Sequence, residues 1–340
     1  LMTEKTSQLS IASNLIPVIE RGAAMVFPGQ GAQSSGMGRR VFEHSPAARE
    51  TYAEASDYLG FDIAKICFEA TEEDLASTEN TQPAVLTTSF AIYRAAREKF
   101  MEFDIGFSPK LFGGHSMGMF SAAVASGSLS FRDSLNLILE RARLMGGFNE
   151  ARPVGMAAII GLNYEKVKEI CEQATVGPDC RVDVANHNEE LQTVISGDST
   201  AIEGAMGIAK SFRAKAIRLK LKVSSHTPLH EQQSDEFAAV VRKIKFQNPE
   251  SPVVSNIGSH LMKTGVEIQS EFENQLKSPV LWADNVRRMV SEGVEMFVEA
   301  GPGHALTRMI RRINESSIAV SLDDAHDPPI PISALTMDAS

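Results

Sequence analysis

Cysteine is scarce in this sequence of 340 residues. Its three cysteines, Cys67, Cys171 and Cys180, are an odd number, and no two stand in the C-x-x-C spacing typical of zinc and redox sites. The pattern therefore supports neither a disulfide framework nor a metal site built on cysteine, and we expect no metal centre. Few unpaired cysteines indicate a reducing compartment, so the expected location is the cytoplasm.

Long apolar runs are also missing. The longest candidates, such as residues 156–162, have the length of a buried strand and fall far short of the roughly eighteen residues that span a membrane. The amino end carries Glu4, Lys5 and polar neighbours, which is unlike a signal peptide. We therefore expect no membrane partner.

Basic residues are in the minority. The chain has 33 Lys and Arg against 43 Asp and Glu, a formal net charge of −10. This balance argues against nucleic acid as a partner, because a polyanion needs a basic surface. An acidic protein partner would need a local basic patch.

One short stretch indicates chemistry: Gly114-His115-Ser116-Met117-Gly118, after the apolar residues 111–113. Glycine on both sides of the serine lets a strand and the next helix cross almost in contact, which is typical of a nucleophile elbow. Such a turn exposes the serine hydroxyl and aims the N–H of Met117 at a developing oxyanion. A turn without chemistry would have the same string, so the context decides.

Strands alternate with helices around this stretch. We predict strands at 23–27 and 111–113 and helices at 47–58, 81–99, 119–125 and 131–145, which indicates an α/β fold with a parallel sheet. From residue 152 the order becomes βαββαβ, with strands at 154–162, 182–186, 192–196 and 216–223 and helices at 164–173 and 200–212. That order is ferredoxin-like.

The predicted domains follow from this change of pattern. A large α/β domain comprises residues 23–151 and 224–318, and a small ferredoxin-like subdomain comprises 152–223. Residues 1–22 are a predicted leader and 319–340 a predicted carboxyl-terminal tail. In the strand at 216–223, apolar and basic residues alternate strictly, so we predict one solvated face, which carries Arg218, Lys220 and Lys222.

His226 is the best placed of the eight histidines to act as a base. It follows a predicted strand and precedes a helix predicted at 228–245, and a helix amino terminus keeps imidazole neutral. His115 adjoins Ser116, but its side chain should point away from that of the serine, and His230 lies one helical turn beyond His226. A mere capping role for His226 stays open.

Two other features each allow two interpretations. The glycine-rich loop 28–33 follows the first strand but lacks the lysine of a P-loop and the spacing of a dinucleotide fingerprint. Its N–H groups therefore fit an oxyanion hole better than a phosphate site. Arg141 lies beside the apolar stripe of helix 131–145, where it either snorkels to solvent, as spacing alone favours, or awaits an anion.

Taken in order, these motifs resemble the malonyl-CoA:acyl carrier protein transacylase family, and the resemblance runs from about residue 23 to residue 312. The matching positions are Phe27-Pro28-Gly29-Gln30-Gly31-Ala32-Gln33, Thr81-Gln82-Pro83-Ala84, Gly114-His115-Ser116-Met117-Gly118, Arg141, Asn186, Asn188, Ser225-His226, Gln275, Ser278-Pro279-Val280 and Glu299-Ala300-Gly301-Pro302-Gly303. The implied fold is a hydrolase-like α/β core with a nucleophile elbow and a ferredoxin-like insert.

The resemblance also implies a role for individual residues. They are Ser116 as nucleophile, His226 as base, the N–H groups of Gln30 and Met117 as oxyanion hole, the backbone carbonyl of Gln275 as the group that orients His226, and Arg141 as clamp for a free carboxylate. Ser225 is in the substrate-binding region and is small where many malonyl-selective modules carry a bulky aromatic. Met117 and Met119 replace the usual leucine and acidic or amide residue, so the pocket floor is expected to differ.

The implied activity moves a malonyl or related carboxyacyl group from CoA, through a seryl ester, to the phosphopantetheine thiol of an acyl carrier protein. It serves fatty acid or polyketide synthesis and needs no tightly bound cofactor. Alternatives are a hydrolase that clears carrier proteins, a transferase for a non-malonyl acyl group, and a non-catalytic docking subunit. Arg141 argues against the hydrolase, and the presence of both Ser116 and His226 argues against the docking subunit.

An acidic carrier would need a positive landing surface despite the negative net charge. The candidates are Arg39, Arg40, Lys215, Arg218, Lys220, Arg308, Arg311 and Arg312.

Overall fold

The computed structural model of the chain describes residues 22–102, 108–219 and 223–323. Three predicted features lie outside these ranges: the leader before Gly22, residues 220–222 of the predicted strand 216–223, which include Lys220 and Lys222, and the tail after residue 323. The described strands are β1 Ala23–Phe27, β2 Leu111–Gly114, β3 Val154–Ile160, β4 Val182–Glu189, β5 Gln192–Asp198, β6 Lys215–Arg218, β7 Val253–Val254, β8 Leu261–Met262, β9 Met296–Glu299 and β10 Ile318–Ser321.

The described helices cover the sheets. They are α1 Arg39–His44, α2 Pro46–Leu59, α3 Ile63–Glu69, α4 Thr78–Glu102, α5 Gly118–Ala125, α6 Phe131–Ala151, α7 Tyr164–Ala174, α8 Ser199–Ser211, α9 Glu231–Val241, α10 Gly265–Asn274, α11 Trp282–Ser291 and α12 Ala305–Ile313. None of these helices is long and apolar enough to cross a membrane.

The larger sheet has the strand order β10-β9-β1-β2-β7-β8. Neighbouring strands are parallel except at the edge, where β7 and β8 are antiparallel. Both faces are buried, one under a cluster that includes Phe27 and Phe120 and the other under a cluster around Trp282. The predicted α/β fold with a parallel sheet is confirmed, and burial on both faces explains why β1 is apolar throughout.

The smaller sheet is antiparallel, with the order β4-β5-β3-β6. Helices α7 and α8 pack on one face through a core that includes Ile159, Val167 and Ile202. The opposite face carries a separate apolar cluster around Met156 and Val194, and Leu219 packs against it. This second face looks toward the larger sheet across the cavity described below.

The smaller sheet is bonded through its backbone to the segment that precedes α11. The N–H of Val280 donates to Ala185 O at 2.8 Å, and the N–H of His187 donates to Val280 O at 2.9 Å. Val280 thus pairs with the edge of β4 as a single parallel bridge. The bridge fixes the smaller sheet to the larger domain.

Two predictions about strands were wrong. Residues 319–321 are not part of a tail, because together with Ile318 they form β10 and pair in parallel with β9, with Ala319 and Val320 buried. The prediction for strand 216–223 is wrong for its apolar face only, because Arg218 on the basic face is exposed as predicted while it also contacts α8. Arg218 donates to Ser199 Oγ at 2.8 Å and lies near Glu203 of α8. Ile217, expected on the covered face, is instead 39% exposed because β6 is the edge strand.

Candidate active site

The turn between β2 and α5 places Ser116 at the carboxyl end of a central strand. Ser116 has φ 53°, in the left-handed region that non-glycine residues rarely adopt. Glycines at 114 and 118 are required by close packing. A Cβ on Gly118 would overlap the carbonyl oxygen of Phe27, and one on Gly114 would overlap the backbone of Gly118. The backbone can therefore cross β1 and re-enter a helix within four residues.

His226 reaches this serine from the segment that follows the smaller sheet. Its Nε2 lies 2.6 Å from Ser116 Oγ. Its Nδ1 lies 2.9 Å from Gln275 O and 3.1 Å from Ser278 O. Carbonyl oxygens only accept hydrogen bonds, so Nδ1 carries the proton and the lone pair of Nε2 faces the serine hydroxyl. The ring is thus oriented as a base.

Burial keeps the ring of His226 neutral. Its side chain is 1% exposed, and burial lowers the pKa of His226 to about 3, with the positive charge of Arg141 as the second cause. The carbonyls of Gln275 and Ser278 oppose this shift only partly. Because no carboxylate faces Nδ1 among the described residues, the neutral imidazole is the form at physiological pH.

The serine and histidine face a cavity of about 210 Å³ between the two sheets. The glycine-rich loop 28–33 forms one wall through Gln30 and its neighbours, and Asn186 and Asn188 of β4 form another. The apolar face of the smaller sheet closes the top. The cavity is also lined by Met145, Met156, Val194, Leu219, Val223, Ser225, Ala305, Leu306 and Met309.

Arg141 of α6 also lines this cavity, and it does not snorkel as spacing alone favoured. It is 2% exposed and makes no ion pair or side-chain hydrogen bond with the residues that the structure describes, and its Nε is buried without a partner. Burial lowers the pKa of Arg141 to about 10, so the guanidinium is still charged at neutral pH. A buried cation without a counterion is costly, and the cavity therefore favours an anionic ligand.

The two expected oxyanion donors come from different segments. Gln30 lines the cavity, and Met117 is the residue before α5, at its amino terminus. Within the described chain, neither backbone N–H donates to a backbone or side-chain acceptor. Two unpaired N–H groups near Ser116 are what an oxyanion hole requires.

The other histidines have different partners. His115 Nε2 lies 2.9 Å from Asn188 Oδ1, and His230 Nε2 lies 2.7 Å from Ser224 Oγ. Neither forms a hydrogen bond with Ser116.

Sequence reasoning missed two contacts of the serine backbone. Gln275, expected only to orient His226, also donates from Nε2 to Ser116 O at 3.0 Å. Asn256, not considered at all, accepts from Ser116 N–H at 2.8 Å. The only sequence signal for Asn256 is its position just after the apolar pair Val253-Val254.

The cations of the predicted carrier surface have diverse environments. Several are engaged within the chain: Arg39 donates to Phe68 O, Arg218 to Ser199, Arg311 to Ala319 O, and Arg312 pairs with Glu189. Arg40 is half-buried on α1, and Lys215 is exposed at the start of β6. Arg308 is exposed on α12, the helix that lines the cavity through Ala305, Leu306 and Met309.

A serine that faces a neutral histidine, with two unpaired N–H groups and an unpaired arginine nearby, is an arrangement that can transfer acyl groups through a seryl ester. The fold and the site thus fit the class of acyltransferases. Residues 24–325 match the acyl transferase domain family, and the chain belongs to it. Malonyl CoA-acyl carrier protein transacylases are among its relatives. That of Bacillus subtilis strain 168 is 35% identical over 316 residues, 92% of this chain and 96% of that protein. That of Escherichia coli K12 is 37% identical over 305 residues, 88% and 96%.

Solved structures agree with these relatives. The malonyl CoA-acyl carrier protein transacylase of Coxiella burnetii superposes with a TM-score of 0.85 at 33% identity, covering 94% of this chain and 96% of that one. A malonyl-transacylase in complex with a type II PKS acyl-carrier protein gives 0.84 at 35% identity, covering 92% and 97%. The resemblance inferred from the motifs is confirmed.

The state of His226 predicts the pH dependence. An ordinary imidazole, with a pKa near 6.5, would leave about thirty-fold less neutral base at pH 5 than at pH 8. With a pKa lowered to about 3, the kcat/KM for serine acylation should stay nearly constant over that range. A profile with a midpoint near 6.5 would contradict the buried neutral base.

The same shift affects stability with a definite sign. Below pH 6.5 the unfolded chain binds protons at His226 and His230 that the folded chain, with both pKa values lowered, does not bind. Their contribution to the free energy of unfolding is therefore constant above pH 6.5 and falls as the pH drops below it. Urea unfolding at pH 7 and pH 5 measures this, with His230→Ala as the comparison.

Proposed function

We propose that this protein transfers a malonyl, or closely related carboxyacyl, group from CoA to the phosphopantetheine thiol of an acyl carrier protein. The observation that carries the proposal is the 2.6 Å contact of Ser116 Oγ with His226 Nε2 in the same cavity as the buried, unpaired Arg141. The relatives are named for acyl transfer between malonyl-CoA and an acyl carrier protein, which supports malonyl-CoA as the acyl donor and the carrier protein as the acceptor.

The first half-reaction loads the enzyme. Ser116 Oγ attacks the thioester carbonyl carbon while its proton passes to His226 Nε2, and the oxyanion is held by the N–H groups of Gln30 and Met117. Collapse of this intermediate breaks the C–S bond, and His226 returns the proton to the sulfur. CoA leaves as the thiol, and a malonyl ester of Ser116 remains.

The second half-reaction reverses these steps with a different thiol. The phosphopantetheine thiol gives its proton to His226 and attacks the ester carbonyl, and Ser116 recovers its proton as the thioester forms. Both half-reactions exchange a thioester for an ester, or the reverse, with His226 as the base. No atom changes its oxidation state, so we infer that the reaction needs no metal and no tightly bound cofactor. The apolar top of the cavity, from Met156, Val194 and Leu219, disfavours water as the competing nucleophile.

Arg141 is proposed to bind the free carboxylate of the acyl group. A planar guanidinium matches the two carboxylate oxygens, and pairing compensates for the desolvation of both charges. The second contribution is orientation, because a malonyl group held at its far end presents its thioester carbonyl to Ser116.

We also infer a finer description of the fold. The strand–turn–helix around Ser116 and its left-handed backbone support a hydrolase-like core with a nucleophile elbow. The antiparallel sheet order β4-β5-β3-β6, with α7 and α8 as the two connecting helices on one face, supports a ferredoxin-like subdomain at 152–223 inserted in the large domain.

Acylation of Ser116 is the direct test of this function. Mixing the protein with malonyl-CoA should add one malonyl group by intact mass. Ser116→Ala should abolish the addition, because among the described residues that line the cavity Ser116 is the one whose hydroxyl contacts a base. Ser34→Ala, at an exposed position directly after the loop 28–33, should load normally. Label on a peptide without Ser116 would refute the assignment, and steady release of malonate without transfer to a carrier would indicate a hydrolase.

Arg141 should decide which acyl groups are loaded. Acetyl-CoA leaves the guanidinium unpaired, so we expect wild type to prefer malonyl-CoA on the order of a hundred-fold or more in kcat/KM. Arg141→Ala should depress malonyl loading strongly and leave acetyl loading equal or faster, and Arg141→Lys should recover little because an ammonium lacks the planar fork. Arg143→Ala is the control, since Arg143 is exposed and pairs with Glu140. Equal acetyl and malonyl loading by wild type would indicate a transferase for uncharged chains.

For the carrier protein, we propose that the landing surface includes Arg308. It is exposed next to the cavity and makes no ion pair or side-chain hydrogen bond within the described chain. Arg308→Glu should raise the KM for the carrier several-fold and weaken its salt dependence, with loading from malonyl-CoA unchanged. Lys243→Glu, in the turn after α9 and away from the cavity lining, is the matched control. A carrier KM that responds equally to both changes would show only a net-charge effect.

A further inference from the structure

The backbone of Ser116 needs something to hold it. A serine with φ 53° is in a sparsely populated conformation, and such residues persist only where surrounding groups determine their geometry. Its carbonyl accepts from Gln275 Nε2 and from the N–H of Met119. Its N–H points to the opposite side of the turn, where a different residue meets it.

That residue is Asn256, in the loop after β7. Its Oδ1 accepts from Ser116 N–H at 2.8 Å, and its Nδ2 donates to Gly114 O at 2.7 Å. Both partners are backbone groups of fixed polarity, so only one orientation of the amide satisfies them. One side chain thus bridges the last residue of β2 and the nucleophile, across the residue between them.

Asn256 is itself held from α10. Its backbone N–H donates to Glu271 Oε1 at 2.9 Å, and the neighbouring Ser255 hydroxyl donates to Glu271 Oε2 at 2.6 Å. Its carbonyl accepts from Leu281 N–H at 2.8 Å. Asn256 is fully buried and does not line the acyl cavity, so it cannot contact the substrate.

We propose that Asn256, fixed by Glu271, is a positioning residue that holds Ser116 in the left-handed conformation in which its hydroxyl meets His226. The inference rests on Ser116 being the nucleophile of the proposed function. Without the bridge, the N–H of Ser116 and the carbonyl of Gly114 lose their buried partner, and the turn relaxes toward an ordinary conformation. The hydroxyl then leaves the line between the base and the acyl carbon.

The first test is the rate of serine acylation by malonyl-CoA in single-turnover experiments. Asn256→Ala should lower the maximal rate by about tenfold to a hundredfold, the effect of misplacing a reacting atom by about 1 Å. The malonyl-CoA concentration at half-maximal rate should stay within about threefold, because the cavity lining is intact. Rates are corrected for the folded fraction, measured by thermal unfolding.

Asn285→Ala is the matched control. Asn285 is equally buried, lies against the same loop and contacts Ser259 Oγ at 2.7 Å, but it touches neither Gly114 nor Ser116. It should lose stability without losing the acylation rate of the folded protein. An equal loss of rate in both variants would show a general effect of loosening the loop and overturn the proposal.

In a second variant, the pH dependence of the acylation rate distinguishes a positioning role from a purely structural one. In Asn256→Asp the ionised carboxylate can accept from Ser116 but repels the Gly114 carbonyl, whereas the protonated carboxyl can donate to it as the amide does. Acylation by this variant should therefore rise as the pH is lowered from 8 to 5.5, while wild type changes little.

Other titrating groups nearby set the baseline for this profile. Glu271 faces Asn256 from α10, burial raises the pKa of Glu271 to about 7, and His115 and His226 lie at the elbow. Glu271→Gln, with and without Asn256→Asp, removes the carboxyl titration and should leave the rise in place.

The outcomes separate this inference from the function on which it rests. If Ser116→Ala still acylates, the proposed function fails. If Ser116→Ala is inactive but Asn256→Ala acylates at the wild-type rate, only the positioning role fails. A profile of Asn256→Asp that falls or stays level toward pH 5.5 also overturns it. If neither Asn256 variant folds, the residue is a folding determinant and the positioning role is wrong.

Discussion

The active site depends on one hydrogen bond of 2.6 Å between Ser116 and His226, which are 110 residues apart in the chain. Both residues have left-handed backbones, with φ of 53° and 60°. Such conformations cost free energy and persist only when surrounding structure imposes them. Here the segment that begins at Gln275 contacts both. The side chain of Gln275 donates to the carbonyl of Ser116, and the backbone carbonyl of Gln275 faces Nδ1 of His226. The carbonyl of the next residue, Leu276, accepts from the N–H of His226.

The charges of the site are as unusual as its backbone. In many serine hydrolases an aspartate orients the histidine and stabilises the imidazolium. Here two neutral carbonyls orient the ring, and the nearest strong charge is the positive one of Arg141. A cavity with a buried cation, and with no carboxylate in its described lining, is poorly matched to a neutral acyl chain and well matched to a carboxylate. The positive charge that helps to keep His226 neutral is thus the same one that we propose to select an anionic acyl group.

The cavity exists because two sheets meet. The larger sheet supplies Ser116, the proposed nucleophile, at the carboxyl end of β2, where parallel strands commonly place functional residues. The smaller sheet supplies an apolar surface from Met156, Val194 and Leu219. Buried acids serve this scaffold and not the chemistry: Glu271 fixes the loop of Asn256, and Glu299 accepts from the N–H groups of Leu306 and Thr307 at the start of α12.

The sequence alone determined the features that depend on local pattern: the α/β alternation, the βαββαβ segment and the glycine spacing around Ser116. Tertiary structure decided the rest. Strand β10 has only four residues, too few for a periodic signal, and exists because β9 offers it partners. The engagement of Arg218 with α8 and the burial of Arg141 depend on which helix lies opposite. Local pattern gives no sign of the carbonyls of Gln275 and Ser278 at His226, because every residue has a backbone carbonyl and only the fold determines which one faces the ring. For Gln275 the family resemblance supplied this contact, whereas nothing in the sequence indicated the contact of Asn256 with Ser116.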